Sequence, residues 1–421
     1  VSKNWKKKLL GGLSLSVAAL TLAACGNNDS ADNGGNAEDN QAAETSLKLW
    51  VTTDSKKFYE DGLKEFNDEN PNIKVEVIET EDAKAQENVK KDPSAAADVF
   101  ALPHDQLGQL VDSGVIQEIP EQFATQIKDE QIESAVVGAE YKGKMYAFPY
   151  GIESQVLYYN KDLLSEEDIK SYEEITSKAT MGMNLKAVDA YKTAPLFMSV
   201  GNHLFGESGE DVTGTDWNND KGVAVLQWIA DQNDNSGFVN VGDDTISKFA
   251  SGDIASFESG PWDKAKAIEA IGEDKLGISV YPTINIGGED VQQKAFLGVK
   301  LYAVNAVPSG EDTNRLAATY KLAAYLSGAH FQELQFKDAS RNIIPSNKEI
   351  QTADYVTNDE LANAVVTMSG SDYSVVMPKI PEMNNFWTAS AAVLSDVYNG
   401  KITPDQFQEK LDQLVKDISG Q

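Results

Sequence analysis

The sequence predicts an α/β fold built as two domains, and three observations predict it. The chain has 421 residues, more than one hydrophobic core comfortably serves, so two domains are expected. Short apolar strands alternate with amphipathic helical stretches, the rhythm of βαβ units around a mainly parallel sheet. A strongly strand-like run, Phe296–Asn305, comes late. If it returns to pair with an earlier sheet, both domains are discontinuous in sequence.

Each element has its own signal. Leu47–Val51 alternates and then turns apolar, a first strand, and Thr52–Ser55 follows as a loop or helix cap. Phe58, Leu63 and Phe66 share a helix stopped by Asn70-Pro71. Ile73–Ile78 alternates as a second strand, and Asp98–Ala101 reads as a buried third. Ligands of such sheets bind beyond the carboxyl ends of strands, here the loops after Val51 and Ala101. Leu107, Leu110 and Val111 lie on one helical face that stops at Gly114. Asp105 falls near that helix's N-terminus, where capping would be its ordinary role. Tyr141–Tyr146 reads as a hairpin feeding an extended stretch, Phe148–Glu153. Glu153 stands between that stretch and the apolar strand Val156–Tyr159, where two parts of the fold meet. A helix-richer region follows to about Gly260, with Val223, Leu226, Trp228 and Ile229 in helical register. Trp387 opens a helical run, Ala389–Tyr398. Thr403–Gln406 is a capping box with Pro404 at N1, ahead of a helix burying Phe407, Leu411, Leu414 and Ile418.

The first residues are not fold. Lys3, Lys6, Lys7 and Lys8 precede an apolar run, Leu9–Leu22, too short for a membrane span and flanked like a signal peptide. It ends in Leu22-Ala-Ala-Cys25, which resembles the bacterial lipobox, and Cys25 is the single cysteine of the chain. Residues 1–24 are thus expected to be removed, and residues 25–45 to form a lipidated cysteine and a disordered polar tether. The net charge of −30 argues against nucleic acid, which needs a basic footprint.

Catalytic and cofactor signatures are missing: no phosphate-binding glycine loop, no His-Glu-x-x-His, no nucleophile elbow. His104, His203 and His330 lack ligand-like spacing, so neither a metal nor a cofactor is expected. Asp231–Ser236 superficially resembles a calcium loop, but its glycine is displaced and the twelfth position is Gly242, so it reads as a solvated loop. Aromatic residues do recur in irregular contexts, namely Tyr191 near Pro195, Trp262 after Gly260-Pro261, and Trp387 after Asn384-Asn385-Phe386. Any one of them alone is better read as core. Together, with polar neighbours, they suit a sugar platform, rings stacking on pyranose faces while carboxylates accept hydroxyl hydrogens.

At this point the chain resembles the extracellular solute-binding proteins of carbohydrate ABC importers, specifically the maltose/maltodextrin-binding branch. The resemblance runs from about residue 46 to the C-terminus. It is carried by Leu49-Trp50 with Asp54, by His104-Asp105, and by Phe148-Pro149 through Glu153 to Tyr158-Tyr-Asn-Lys-Asp-Leu-Leu164. Gly260-Pro-Trp262, Gly298-Val299, Met377-Pro-Lys-Ile-Pro381 and Asn385-Phe-Trp387 continue it in order. It implies a periplasmic-binding-protein-like fold, two discontinuous α/β lobes with a ligand cleft between them. The lobes would be 46–152 with about 302–356, and about 156–297 with 360–421, joined by crossings near 151–156, 297–302 and 355–360. It further implies a non-enzymatic, monomeric receptor that binds maltose or maltodextrins and hands them to the importer's membrane permease. Such a receptor would sit on the outer face of a Gram-positive cell membrane, touching it only through the lipid anchor. Asp54, Ser55, Asp105 and Glu153 are the implied polar ligand residues, and Tyr191, Trp262 and Trp387 the implied stacking rings. The pattern departs at Leu102 and Gln106, where a Trp and an Arg are usual, and at Asp189, where a glutamate is usual. Tyr150 or Tyr302 is the expected substitute wall. A binder of another oligosaccharide, an extracellular glycan hydrolase and a surface adhesin are the competing readings.

Overall fold

Fifteen strands punctuate the computed structural model, which describes residues 44–81, 84–338, 341 and 343–421. The expected signal peptide, Cys25 and nearly all of the expected tether lie outside the described residues; Thr45 already opens the first strand. In chain order the strands are β1 (Thr45–Val51), β2 (Ile73–Glu79), β3 (Val99–Pro103), β4 (Glu140–Tyr141), β5 (Lys144–Met145), β6 (Ala147–Ser154), β7 (Val156–Asn160) and β8 (Met181–Met183). They continue as β9 (Phe238–Asn240), β10 (Ser256–Ser259), β11 (Leu276–Ser279), β12 (Thr283–Ile286), β13 (Glu289–Gln292), β14 (Ala295–Val304) and β15 (Ser374–Val376).

Two main sheets result. The first runs β15-β14-β3-β1-β2, with β6 also paired to β14. The second runs β11-β7-β10-β8-β9. β4–β5 and β12–β13 are separate hairpins. In the first sheet β1 pairs in parallel with β2 and β3, as the strand–helix rhythm predicts. The late strand β14 does return to that sheet, but antiparallel to both β3 and β6. The second sheet is also mixed, β7 being antiparallel to β10 and β11. The mainly parallel sheet is therefore corrected. Strands that arrive from elsewhere in the chain, rather than through a βαβ crossover, are free to run either way.

Residues 43–421 form one compact unit. A single residue, Gln155, separates β6 of the first sheet from β7 of the second, the place where Glu153 was expected to mark a crossing. β15 pairs with the start of β14, so it belongs to the first sheet although it falls in the stretch assigned above to the second lobe. Helix Thr313–Ser327 packs on β1, β6 and β14, while Met383–Tyr398, Asp220–Asp231 and Phe407–Ser419 pack on one another. The capping box closes as expected, and Phe407, Leu411, Leu414 and Ile418 are buried. Two local expectations shift. The first helix divides at Leu63 into Lys56–Gly62 and Lys64–Glu69, and the helix carrying Trp387 begins earlier, at Met383.

Candidate functional site

β3 ends at Pro103 and turns directly into a short 3₁₀ turn, His104–Gln106, which places Asp105 at the carboxyl end of a central strand. His104 anchors this turn. Its Nδ1 accepts the Val299 N–H at 3.1 Å, so Nε2 carries the hydrogen and donates to the Met377 carbonyl at 2.9 Å. The ring is fully buried and neutral, its pKa pushed down to about 3 by burial and then by the nearby Lys379 charge. One imidazole thus joins the loop after β3, β14 and the segment after β15. Asp105 itself is half-buried, and burial, with Glu153 nearby, raises its carboxyl to about 6.

Glu153 lies opposite Gly298 in the β6–β14 ladder. A Cβ at Gly298 would stand 2.8 Å from Glu153 Cγ, so the missing side chain is what lets the glutamate lie across β14. There its Oε2 meets Lys300 Nζ at 2.8 Å. The Lys300 charge holds Glu153 below the usual carboxylate range against the opposing effect of burial. Two neighbouring carboxyls are thus set apart, one raised and one lowered.

The rings gather beside them. Asp189 caps the short helix Ala190–Thr193 by accepting the Tyr191 N–H at 3.0 Å, which orients Tyr191. Tyr191 stacks on Phe296 at 6.0 Å and 21°, and Trp387 meets Phe296 edge-on at 6.0 Å and 73°. Asp105, Asp189, Tyr191, Met377 and Trp387 line one depression of about 480 Å³. A larger cavity of about 640 Å³, lined by Met198, His203, Lys294, Val376 and Lys379 among others, shares Met377 with this depression, but none of the expected ligand residues lines it.

Four expected site residues therefore converge: Asp105, Glu153, Tyr191 and Trp387. Trp262 does not join their ring contacts, but it is 49% exposed, an unusual state for an indole. It rides a 3₁₀ turn, Pro261–Asp263, folded back over Gly260, whose carbonyl is pinned by the Tyr158 hydroxyl at 2.9 Å. Asp54 is exposed in a left-handed conformation (φ 60°) on the loop after β1, outside the converged group. Ser55 is buried, its hydroxyl donating to the Thr52 carbonyl and its N–H to Glu79 at 2.9 Å, so its polar atoms already serve the loop. The expected substitute wall is not there. Tyr150 and Tyr302 are both buried and stack on each other at 4.1 Å, and the Tyr302 hydroxyl lies 2.5 Å from that of Tyr59. They are core. Sequence reasoning also missed Lys300, Phe296 and Met377. A lysine inside an otherwise apolar strand was the available signal.

Carboxyls with split pKa values beside stacked rings suit either the holding of a polyhydroxylated ligand or acid–base hydrolysis. The relatives of the chain decide between the two. Residues 63–364 match the family model described as bacterial extracellular solute-binding protein. The galactooligosaccharide-binding protein of Bacillus subtilis (strain 168) is 28% identical, the match covering 96% of this chain and 95% of that one. A maltooligosaccharide ABC transporter solute-binding lipoprotein of Streptococcus pneumoniae (strain ATCC BAA-255 / R6) is 26% identical over 92% and 91%. Among solved structures, the maltodextrin binding protein MalE1 from L. casei BL23 without ligand superposes with a TM-score of 0.85 at 34% identity, covering 90% of this chain and 99% of that one. The fold and these relatives define a non-enzymatic solute-binding protein of the periplasmic-binding-protein type. The chain belongs to the bacterial extracellular solute-binding protein family.

Proposed function

We propose that this protein is the substrate-binding subunit of a carbohydrate ABC importer, that it captures maltose and maltodextrins, and that it delivers them to the membrane permease. The observation that carries this reading is one depression lined by Asp105, Tyr191 and Trp387, with Phe296 packed against both rings and Glu153 close enough to act on Asp105 and Tyr191. Carboxyls accept hydrogens from sugar hydroxyls, and ring faces take up the C–H patches of the pyranose. Trp262 and Asp54, both exposed, extend the site, and Ser55 supports the loop that carries Asp54. The lobes are 46–152 with about 302–356, and about 156–297 with 360–421, save that β15 pairs into the first sheet. They close on bound sugar because ligand contacts to both favour the closed state. Cys25 carries the lipid that keeps the receptor at the outer face of the membrane.

The Bacillus subtilis relative supports a second reading, a galactooligosaccharide ligand on the same fold. Calorimetric titration with maltotriose and with β-1,4-galactotriose separates the two. Micromolar binding of maltotriose with at least tenfold weaker galactotriose is expected. The reverse order assigns the protein to galactooligosaccharides, and no heat from either at millimolar concentration removes both.

A further inference from the structure

We propose that Lys300 is a positioning and selectivity residue of this site: it holds the Glu153 carboxylate in place and cancels its charge, so that the site prefers neutral hydroxylated ligands to cationic ones. The inference rests on the oligosaccharide reading above and adds to it the residue that sets the site's charge.

The placement follows from strand geometry. Phe296, Gly298 and Lys300 alternate onto one face of β14. Gly298 pairs with Glu153 and Lys300 with Gly151, so Lys300 and Glu153 are diagonal neighbours across the ladder. The register shifts immediately after Lys300, and Tyr150 is the extra residue of the bulge, a device that re-aims neighbouring side chains. Every other residue of β14 is buried; Lys300 alone is half-open. A cation in such a strand is costly unless it is paired. Here it is paired, and the two side chains keep 29% and 32% exposure, enough for a ligand to reach them.

Among the described residues, few charged groups surround Glu153. His104, on the turn after β3, is neutral and adds no charge. Asp105, on the same turn, and Tyr191, on the Ala190–Thr193 helix, are both close enough to feel it. Lys379 lies beyond His104, donating to the Val137 carbonyl at 2.9 Å with Glu210 at 3.9 Å. Lys192 serves a different group, facing Glu258 and Asp263. Without Lys300, Glu153 and Asp105 would form an adjacent pair of negative charges, the electrostatics of a cation site.

The test uses K300M and K300R in the whole protein. Binding of maltotriose, galactotriose and a glucosamine trimer (cationic at mildly acidic pH) is measured from about pH 5.5 to 8, and the Glu153 carboxyl is titrated by carbon NMR. K300M is expected to lose about tenfold or more in affinity for the neutral sugar, the loss typical of a charged hydrogen-bond partner. It should gain relative affinity for the glucosamine trimer and acquire a pH dependence across this range, and K300R should restore the wild-type pattern. Wild-type selectivity and pH profile in K300M overturn the proposal. If the wild type binds none of these sugars, the oligosaccharide reading fails by itself, and a Glu153 titration left unmoved by K300M overturns the role of Lys300 independently. Should K300M not fold, K300Q carries the same test.

Discussion

At the scale of single residues, Glu258 on β10 is the least expected group in the fold. It is buried, and one oxygen accepts from Gln293 Nε2 at 2.8 Å. The Tyr281 hydroxyl close by donates to Gln155 Oε1 at 2.6 Å. Gln155 lies between β6 and β7 and Gln293 between β13 and β14, so this polar cluster occupies two places where the chain changes sheets. Among the described residues, Gln155 Nε2 and Gln293 Oε1 find no hydrogen-bond partner. Burial pushes the Glu258 carboxyl up to about 7, a shift only partly offset by Gln293 and Lys192. The folded state therefore keeps a proton that the unfolded chain gives up near the ordinary glutamate value. The stability this contributes is complete below that value and is lost as the pH rises through about 7. Glu258→Gln, neutral throughout, should match the wild type near pH 5 and exceed it by roughly 2–3 kcal/mol at pH 8. Urea melts of both proteins at the two pH values measure this. A difference that does not change with pH would show that Glu258 is not protonated in the fold.

At the scale of elements, β14 organises both the sheet and the site. It pairs with β3, β6 and β15, and through Gly298 and Lys300 it sets where Glu153 points. Gly298→Ala would put a methyl 2.8 Å from Glu153 Cγ and 3.2 Å from its Oε1, against a side chain rather than against backbone. The side chain yields and the ladder holds. Sugar affinity should drop about tenfold while the unfolding free energy changes by no more than about 1–2 kcal/mol; the prediction fails if stability collapses with affinity intact. The same strand marks what the sequence could and could not reveal. Its existence was legible because ten residues of near-continuous apolar character admit little else. Its direction was not, since antiparallel pairing with β3 and β6 depends on long-range partners. Asp105, Glu153, Tyr191 and Trp387, which the fold brings together, were singled out through motifs that sit at strand ends and helix starts. Lys300 was missed because a lysine in a strand ordinarily reads as a solvated position. Its meaning depends on a glutamate diagonal to it on a strand far away in sequence. Tyr150 and Tyr302 were misread for the converse reason: nothing local distinguishes a tyrosine facing a cleft from one stacked in the core.

At the scale of the whole molecule, the dominant fact is a net charge of −30. If two lobes of one acidic body close on a sugar, closure brings like-charged surfaces together, and part of the binding energy is spent against that repulsion. The field of an exposed charge reaches roughly 10 Å at 0.1 M salt and about 30 Å at 0.01 M, so like-charged surfaces repel further out at low ionic strength. The pairs at the site are half-buried and less affected, so the salt response should report the lobes rather than the site. Affinity for a neutral oligosaccharide should therefore rise, by up to about threefold, between 10 mM and 300 mM sodium chloride. The glucosamine trimer should respond in the opposite sense, because screening also weakens its attraction to the acidic body. Calorimetry of both ligands across the salt range makes the comparison within one protein. A neutral-sugar affinity that falls with salt would mean that closure is not opposed by charge, and would point to binding within one lobe without the approach of the other.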